Sequence, residues 1–110
     1  MSLEVVRPGI KGILKVAPSS ECIDFAIGGL RFGSAEQFQK GERLVLDVRV
    51  NDVEVRELLA QVVSSQPRDR STYCTGVRFC FEAKSMQLPE ISRALLRIED
   101  KLRVAQEYPA

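Results

Sequence analysis

The apolar residues of this chain follow two different periods in two regions. Between Arg43 and Val50 every second residue is apolar, and between Tyr73 and Phe81 a similar period of two runs through nine positions, with Thr75 as the polar member of its series. Because successive side chains of a β-strand point to opposite faces, each segment predicts a strand. One face of each strand is expected in the core and the other in water.

The period changes near Pro89. Beyond it, apolar residues recur at steps of three and four, namely Ile91, Leu95, Ile98, Leu102 and Ala105. This spacing predicts an amphipathic helix. Pro89 suits its first turn, where no backbone N–H is needed, and the charge of Glu90 suits the positive end of the helix dipole. The stripe fits two arrangements, packing on the strands of its own chain or pairing with the same helix of a second chain.

Shorter segments complete the strand pattern. Residues 13–16 and 22–25 suit strands, and the turn-forming residues between them predict a first hairpin. A third short strand covers 30–32, and 53–63 is interpreted as a strand although 56–60 also suits a helix. We therefore predict a mainly β fold, a small antiparallel β-barrel or open sandwich with a C-terminal α-helix.

A chain of 110 residues can bury one core but not two independent ones. Residues 1–11 combine chain breakers and charges without a sustained period, and we expect them to form an N-terminal arm. Residues 12–84 are expected to form the barrel. Residues 85–110 are expected to form the amphipathic helix of the same domain.

The composition excludes several classes of function. Sixteen Lys and Arg residues balance fifteen Asp and Glu residues, so the chain lacks the basic surface typical of proteins that bind nucleic acid or anionic lipid. The absence of histidine removes Ser-His-Asp and Cys-His catalysis and every zinc site that contains histidine. The acidic residues, such as Asp47, Asp52 and Glu54, have no recognisable metal or acid–base spacing. We expect no enzyme, no catalytic residues, no metal and no cofactor.

Two further features concern the cellular compartment. Cys22, Cys74 and Cys80 include no close pair, which is typical of reduced thiols rather than of a disulfide framework. No apolar segment of the sequence is long enough to cross a bilayer, and no secretory signal is recognisable. We therefore expect a cytoplasmic location without membrane insertion.

The segment from Asp24 to Phe32 joins a carboxylate, the pair Gly28-Gly29 and a resuming strand. Glycines can adopt positive φ and so form a tight turn after the carboxylate. Such a turn brings side-chain and backbone hydrogen-bonding groups to the same edge of a hairpin, where they can face a ligand. Asp and Gly are also common in turns for purely local reasons, so a structural turn is the alternative interpretation.

The order of these segments resembles the PilZ family. The family's motif Asp/Asn-x-Ser-x-x-Gly aligns with Asp24, Ala26 and Gly29, and the strand that usually follows resembles 30–32. Later family strands resemble the segment from Gly41 into the Leu44 strand, residues 60–63 and residues 76–79, so that the resemblance covers about residues 12 to 82. It implies a PilZ-like β-barrel and a non-enzymatic role in bacterial signalling, often through binding of cyclic di-GMP.

The resemblance also implies roles for individual residues. The family's arm motif, Arg-x-x-x-Arg, is best matched by Arg7 and Lys11, which would fold over the ligand phosphates, although Lys lacks the planar fork of Arg. Asp24 would accept hydrogen bonds from a guanine edge, and Gly29 would permit close backbone approach. Ala26 lacks the family's hydroxyl group. The auxiliary cations, Arg31 and Arg78, are predicted on the solvated faces of their strands, which is also where a merely solubilising Arg would lie.

Two functions remain open from the sequence. In the first, the chain is a cyclic di-GMP receptor whose ligand changes the surface offered to a protein partner. In the second, Lys11 and Ala26 mark a degenerate interaction module that no longer binds the nucleotide. Both include a protein partner, exclude nucleic acid, and allow a monomer or a homodimer formed through the helix.

Overall fold

The computed structural model describes residues 2–9, 12–16 and 21–107. They form seven strands, a short 3-10 helix (Lys84–Gln87) and one α-helix, α1 (Pro89–Glu107). The strands are β1 (Ser2–Gly9), β2 (Gly12–Val16), β3 (Glu21–Ala26), β4 (Gly29–Ser34), β5 (Arg43–Val50), β6 (Val53–Pro67) and β7 (Tyr73–Phe79).

All described strands belong to one antiparallel sheet in the order β2-β1-β5-β6-β7-β4-β3. The sheet curls into a half-barrel, since β1 approaches β3 from the other side of the sheet order. The predicted class is therefore confirmed as mainly β, with one C-terminal helix. The segment 53–63, for which a helix was the alternative, lies within β6.

The beginning of the chain differs from the prediction in two ways. Ser2–Gly9, expected as part of an arm, forms β1 and pairs with both β2 and β5. The expected hairpin of 13–16 with 22–25 is wrong, because β2 pairs with β1 whereas β3 pairs with β4. The apolar part of β1 is too short for a clear period, and its buried residues Leu3, Val5 and Val6 include two neighbours. Local turn signals indicate where a chain reverses, but not which strand becomes its partner.

The core lies between the inner face of the sheet and α1. The alternating residues of β5, namely Leu44, Leu46, Val48 and Val50, are all buried. From the helix, Leu95 and Ile98 are buried in the same cluster, with Ile91 and Leu102 packed against it. The helical stripe therefore packs on the strands of its own chain, which was one of its two predicted arrangements. Of that stripe, the Ala105 side chain lies outside the described residues.

Two of the three irregularities in pairing between the described strands lie in β3 and β6, and the third is in the β5–β6 pair. The register shifts between Cys22 and Asp24 in β3 and between Val62 and Ser64 in β6. The residues at these shifts, Ile23 and Val63, are 38% and 47% exposed. A β-bulge leaves one residue without a partner and re-aims its side chain. Two apolar side chains therefore face outward near the β3–β4 hairpin and β6.

The Gly28-Gly29 pair has a different role from the one predicted. Among the described glycines only Gly41 has a positive φ, so neither Gly28 nor Gly29 uses the left-handed conformation. Gly29 pairs with Arg78 of β7, and a Cβ on Gly29 would lie 2.1 Å from the carbonyl oxygen of Val77. The absence of a side chain at Gly29 therefore permits β4 to approach β7.

Adjacent leucines of α1 provide a test of helix docking. Leu95 is 1% exposed and Leu96 is 52% exposed. We expect Leu95→Ala to lower the free energy of unfolding by about 3 kcal/mol, because it leaves a cavity in the core. Leu96→Ala should change it by less than about 0.5 kcal/mol, since only exposed surface is lost. Urea unfolding at two protein concentrations measures both values, and an equal loss in Leu96→Ala would indicate that this face is buried between two chains.

Substitutions of Gly28 and Gly29 test the close approach of β4 to β7. We expect Gly29→Ala to destabilise the protein by about 2 kcal/mol, because backbone strands must separate to admit the methyl group. A methyl group on Gly28 would meet no neighbouring atom within 4 Å, so Gly28→Ala should leave the melting temperature nearly unchanged. Thermal unfolding followed by circular dichroism compares the two, and equal melting temperatures would contradict the close approach at Gly29.

Candidate functional site

The β3–β4 hairpin borders a shallow groove of about 410 Å³. The hairpin contributes residues 24–26 and 28–31, and the strands β6 and β7 contribute Val63, Ser64, Gly76 and Val77. Four of the predicted site residues, Asp24, Ala26, Gly29 and Arg31, are thus brought to one surface. Their spacing along the chain suffices for this, because they lie on two paired strands joined by a two-residue turn.

The polar rim of the groove is an ion pair. Asp24 and Arg31 are cross-strand partners, and Arg31 Nη2 donates a hydrogen bond to Asp24 Oδ2 at 3.1 Å. Their side chains are 60% and 56% exposed, respectively. Ion pairs exposed to this extent contribute at most about 1 kcal/mol, because water screens the attraction and ordering the side chains costs entropy. A ligand can therefore separate this pair at small cost.

The groove has mostly apolar walls. Its apolar border includes Val63, Ala26 and Phe25, whereas Leu30 and Val77 also touch it but are each only 4% exposed and belong to the core. Gly76 keeps it open, because a Cβ there would lie 3.1 Å from Ser64 Oγ. An apolar concavity with a few polar groups on its rim is typical of sites for small molecules.

Two predicted site residues cannot be placed against this groove. Lys11 lies outside the described residues, and Arg7 is described through its backbone alone. In β1, Arg7 pairs with Leu14 of β2, so its Cα belongs to the β1–β2 hairpin. Contacts of these two cations with a ligand stay a prediction.

The second auxiliary cation, Arg78, is bound elsewhere. Its Nη2 donates to Gln61 Oε1 at 2.6 Å and to Glu82 Oε1 at 3.1 Å. The hydrogen bond from Arg78 lowers the pKa of Glu82 below its ordinary value. Arg78 does not line the groove formed by the described residues. Of the two auxiliary cations, Arg31 is therefore the one at the groove.

The thiol of Cys22 lies 3.5 Å from the backbone carbonyl oxygen of Asp24. Burial, with a smaller contribution from the charge of Asp24, raises the pKa of Cys22 from 9.0 to about 11. The thiol therefore stays protonated at neutral pH and is a poor nucleophile. No group of three or more metal-ligating residues was found among the described residues. Within the same residues, no helix is both long and apolar enough to span a membrane.

Sequence reasoning missed the part of the groove that comes from β6. Val63 and Ser64 follow the alternating residues Leu58, Ala60 and Val62, and the alternation stops at this point. That break in period was a signal for the bulge that turns Val63 outward. Glu99, whose carboxylate reaches the β3–β4 turn, had no signal in the sequence because 72 positions separate it from Ile27.

The Cys22 thiol predicts a specific alkaline pH dependence. Since its pKa is higher in the folded state, the folded protein holds this proton more tightly than the unfolded chain does. The corresponding stability is present below about pH 9 and is lost as the pH rises towards about 11. We expect Cys22→Ser to weaken the fall in stability over this range, measured by urea unfolding at several pH values. Cys74→Ser is the control for loss of a thiol. If stability falls with pH as steeply in Cys22→Ser as in the unaltered protein, the alkaline loss of stability does not come from Cys22.

Comparison with models of protein families identifies a domain in this chain. The model of the PilZ domain matches residues 10–97, which include Asp24, Ala26 and Gly29 but not Arg7. The matched segment begins just before β2 and ends within α1. The search of curated proteins found no matching relative.

PilZ domains form a family of cyclic di-GMP receptor modules and are typically non-catalytic. Because the match covers more than half of the chain, this protein belongs to the PilZ domain family.

Proposed function

We propose that this PilZ domain is a cytoplasmic, non-enzymatic signalling module that binds cyclic di-GMP in the groove beside the β3–β4 hairpin. The observation that carries the proposal is the exposed pair of Asp24 and Arg31 above an apolar floor, at the position of the family's Asp/Asn-x-Ser-x-x-Gly motif. Cyclic di-GMP combines flat guanine rings with anionic phosphates, and the groove offers a complementary group for each.

The two members of the ion pair would bind different parts of the ligand. The carboxylate of Asp24 can accept hydrogen bonds from the N1–H and the amino group of a guanine edge. Arg31, released from Asp24, can donate two parallel hydrogen bonds to a phosphate. Exchanging an exposed ion pair for these two contacts is favourable, because charge-assisted hydrogen bonds are stronger where a ligand excludes water. In this proposal Arg7 and Lys11 supply further positive charge from the β1–β2 hairpin.

Arg31 also compensates for the weak point of the arm motif. Lys11 can neutralise a phosphate as a point charge but cannot form the paired, planar contact of a guanidinium group. Arg31 carries such a group and lies at the groove, whereas Arg78 is held by Gln61 and Glu82. We therefore assign the auxiliary role to Arg31 rather than to Arg78.

Ala26 lowers the expected affinity without removing the site. A hydroxyl group at this position would add a hydrogen bond worth about 0.5 to 1.5 kcal/mol. Its loss corresponds to a factor of about 2 to 10 in affinity. We therefore expect Ala26→Ser to tighten binding by a factor of this size.

A second candidate function rests on the exposed apolar residues of the same region. Ile23 and Ile27 lie on the β3–β4 hairpin and Val63 lines the groove, with exposed fractions of 38%, 45% and 47%. Exposed apolar side chains grouped within one region are typical of protein-binding surfaces. In this alternative the domain binds a protein partner there without the nucleotide.

Isothermal titration with cyclic di-GMP tests the first function, with GTP as the control ligand. We expect Asp24→Ala and Arg31→Ala to weaken binding at least tenfold, because each removes a charged contact. Arg7→Ala should weaken it less, and the weakening should grow smaller as the salt concentration rises. The matched control is Arg49→Ala, which removes an exposed Arg from β5, outside the groove.

The outcomes separate the two candidates. Binding that is lost in both groove variants and kept in Arg49→Ala would support the receptor function. No heat of binding with the unaltered protein at millimolar ligand would exclude it and leave the interaction module. Equal weakening in Arg49→Ala and Arg31→Ala would show attraction by net charge rather than a specific site.

A further inference from the structure

The orientation of α1 places charged groups on both sides of its buried stripe. Ile98 is fully buried, and with about 100° between successive residues its neighbours Arg97 and Glu99 lie on opposite flanks of the helix. Lys101 lies on the same flank as Arg97, one turn further along. Each flank can therefore reach a different part of the sheet.

The two flanks bind two hairpin turns. Lys101 Nζ lies 3.4 Å and Arg97 Nη2 lies 3.8 Å from the carboxylate of Asp52, in the β5–β6 turn. On the other flank, the backbone N–H of Ile27 in the β3–β4 turn donates to Glu99 Oε2 at 3.2 Å. Because neighbouring strands are antiparallel, β3 and β5 run in the same direction, and both turns lie at one end of the sheet. The helix therefore bridges the two turns across that end.

The β3–β4 turn has two anchors of different stiffness. The carbonyl group of Gly28 accepts a hydrogen bond at 2.8 Å from the backbone N–H of Phe79, which belongs to the core strand β7. The second anchor is the side chain of Glu99, which has rotatable bonds and contacts the turn near solvent. The rigid anchor fixes the turn to the sheet. The Glu99 anchor can lengthen, shorten or break without disturbing the core.

We propose that Glu99 is a positioning residue of the groove and that it couples the groove to α1. The turn that it holds lies between Asp24 and Ala26 on one side and Gly29 and Arg31 on the other, all of which line the groove. A ligand that moves these groups moves the N–H of Ile27 and thereby changes its hydrogen bond to Glu99 of α1. By thermodynamic linkage, the factor by which ligand binding weakens or strengthens the contact between Glu99 and Ile27 equals the factor by which that contact changes ligand affinity. The nature of the ligand rests on the proposed function, whereas the contact of helix and turn does not.

Two substitutions of Glu99 and one control test this coupling. Glu99→Ala removes the acceptor, Glu99→Gln keeps an acceptor oxygen without the charge, and Asp100→Ala removes the adjacent carboxylate, which pairs with Arg103 instead of the turn. The first measurement is the amide signal of Ile27 and its hydrogen-exchange rate in the protein without ligand. We expect faster exchange and a shifted signal in Glu99→Ala, recovery of most of the effect in Glu99→Gln, and no change in Asp100→Ala.

The second measurement is titration of the same variants with cyclic di-GMP. We expect about fivefold weaker binding in Glu99→Ala, within the usual range of coupling between sites, and partial recovery in Glu99→Gln. The amide signals of residues 97–103 should also move when the unaltered protein is titrated. An unchanged Ile27 amide in Glu99→Ala would overturn the inference even where binding is intact.

Failure of the proposed function gives a different pattern. If the unaltered protein does not bind cyclic di-GMP, that function fails, and the coupling is judged by the amide measurements alone. A change at Ile27 in Glu99→Ala, with recovery in Glu99→Gln, would then still support the link between α1 and the turn. Ligand binding that is equally tight in all three variants would overturn the coupling to the groove.

Discussion

Burial of one apolar layer between the inner face of the sheet and α1 holds this domain together. Each central strand contributes every second side chain to this layer, as in β5, and the helix closes it with Leu95 and Ile98. Regular alternation then leaves the outer face of each strand with the polar residues. A regular sheet of this kind provides stability but no local groove on its outer face, so the candidate site lies where the regularity is interrupted.

The groove lies where several such interruptions meet. The register shift at Val63 turns an apolar side chain outward, and Gly76 omits a side chain where one would approach Ser64. At Gly29 the backbones of β4 and β7 come too close for any Cβ, so a glycine there lets the two strands pair beside the groove. The site therefore depends on glycines chosen for space rather than for unusual backbone angles. A hydroxyl or carboxylate motif alone could not create this shape.

The parts of the structure that the sequence could predict are those determined by local periodicity. Strand β5 was predictable because its apolar residues alternate over eight positions, and helix α1 because its apolar stripe continues over about four turns. In both, the same periodic pattern is repeated several times. β1 was missed because its apolar part is short and is followed by Arg7, Pro8 and Gly9. The pairing of β2 with β1 rather than with β3 could not be inferred, since it depends on which apolar faces complete the common core.

In the candidate site, too, the local part could be predicted from the sequence and the contacts between distant segments could not. Asp24, Ala26, Gly29 and Arg31 belong to one hairpin, so their placement on one surface followed from the turn between them. The contributions from β6 and β7 required the sheet order, and the contact from Glu99 required the position of α1. Arg31 and Arg78 occupy equivalent exposed positions by strand parity. Only the three-dimensional neighbours distinguish them, because Glu82 and Gln61 hold Arg78 whereas Asp24 holds Arg31.

The pairing of Asp24 with Arg31 has opposite consequences for binding. It holds both charged groups at the rim, so a ligand that binds them loses less side-chain entropy. It also satisfies each charge before the ligand arrives, so a ligand that offers both a donor edge and an anion recovers the small energy, at most about 1 kcal/mol, that separating the pair costs. A neutral ring on the apolar floor leaves the pair intact, whereas a guanine edge joined to a phosphate replaces both halves. In the proposed function, this combination of two complementary groups in one molecule favours a nucleotide over other flat ligands, even though Ala26 contributes no hydrogen bond of its own.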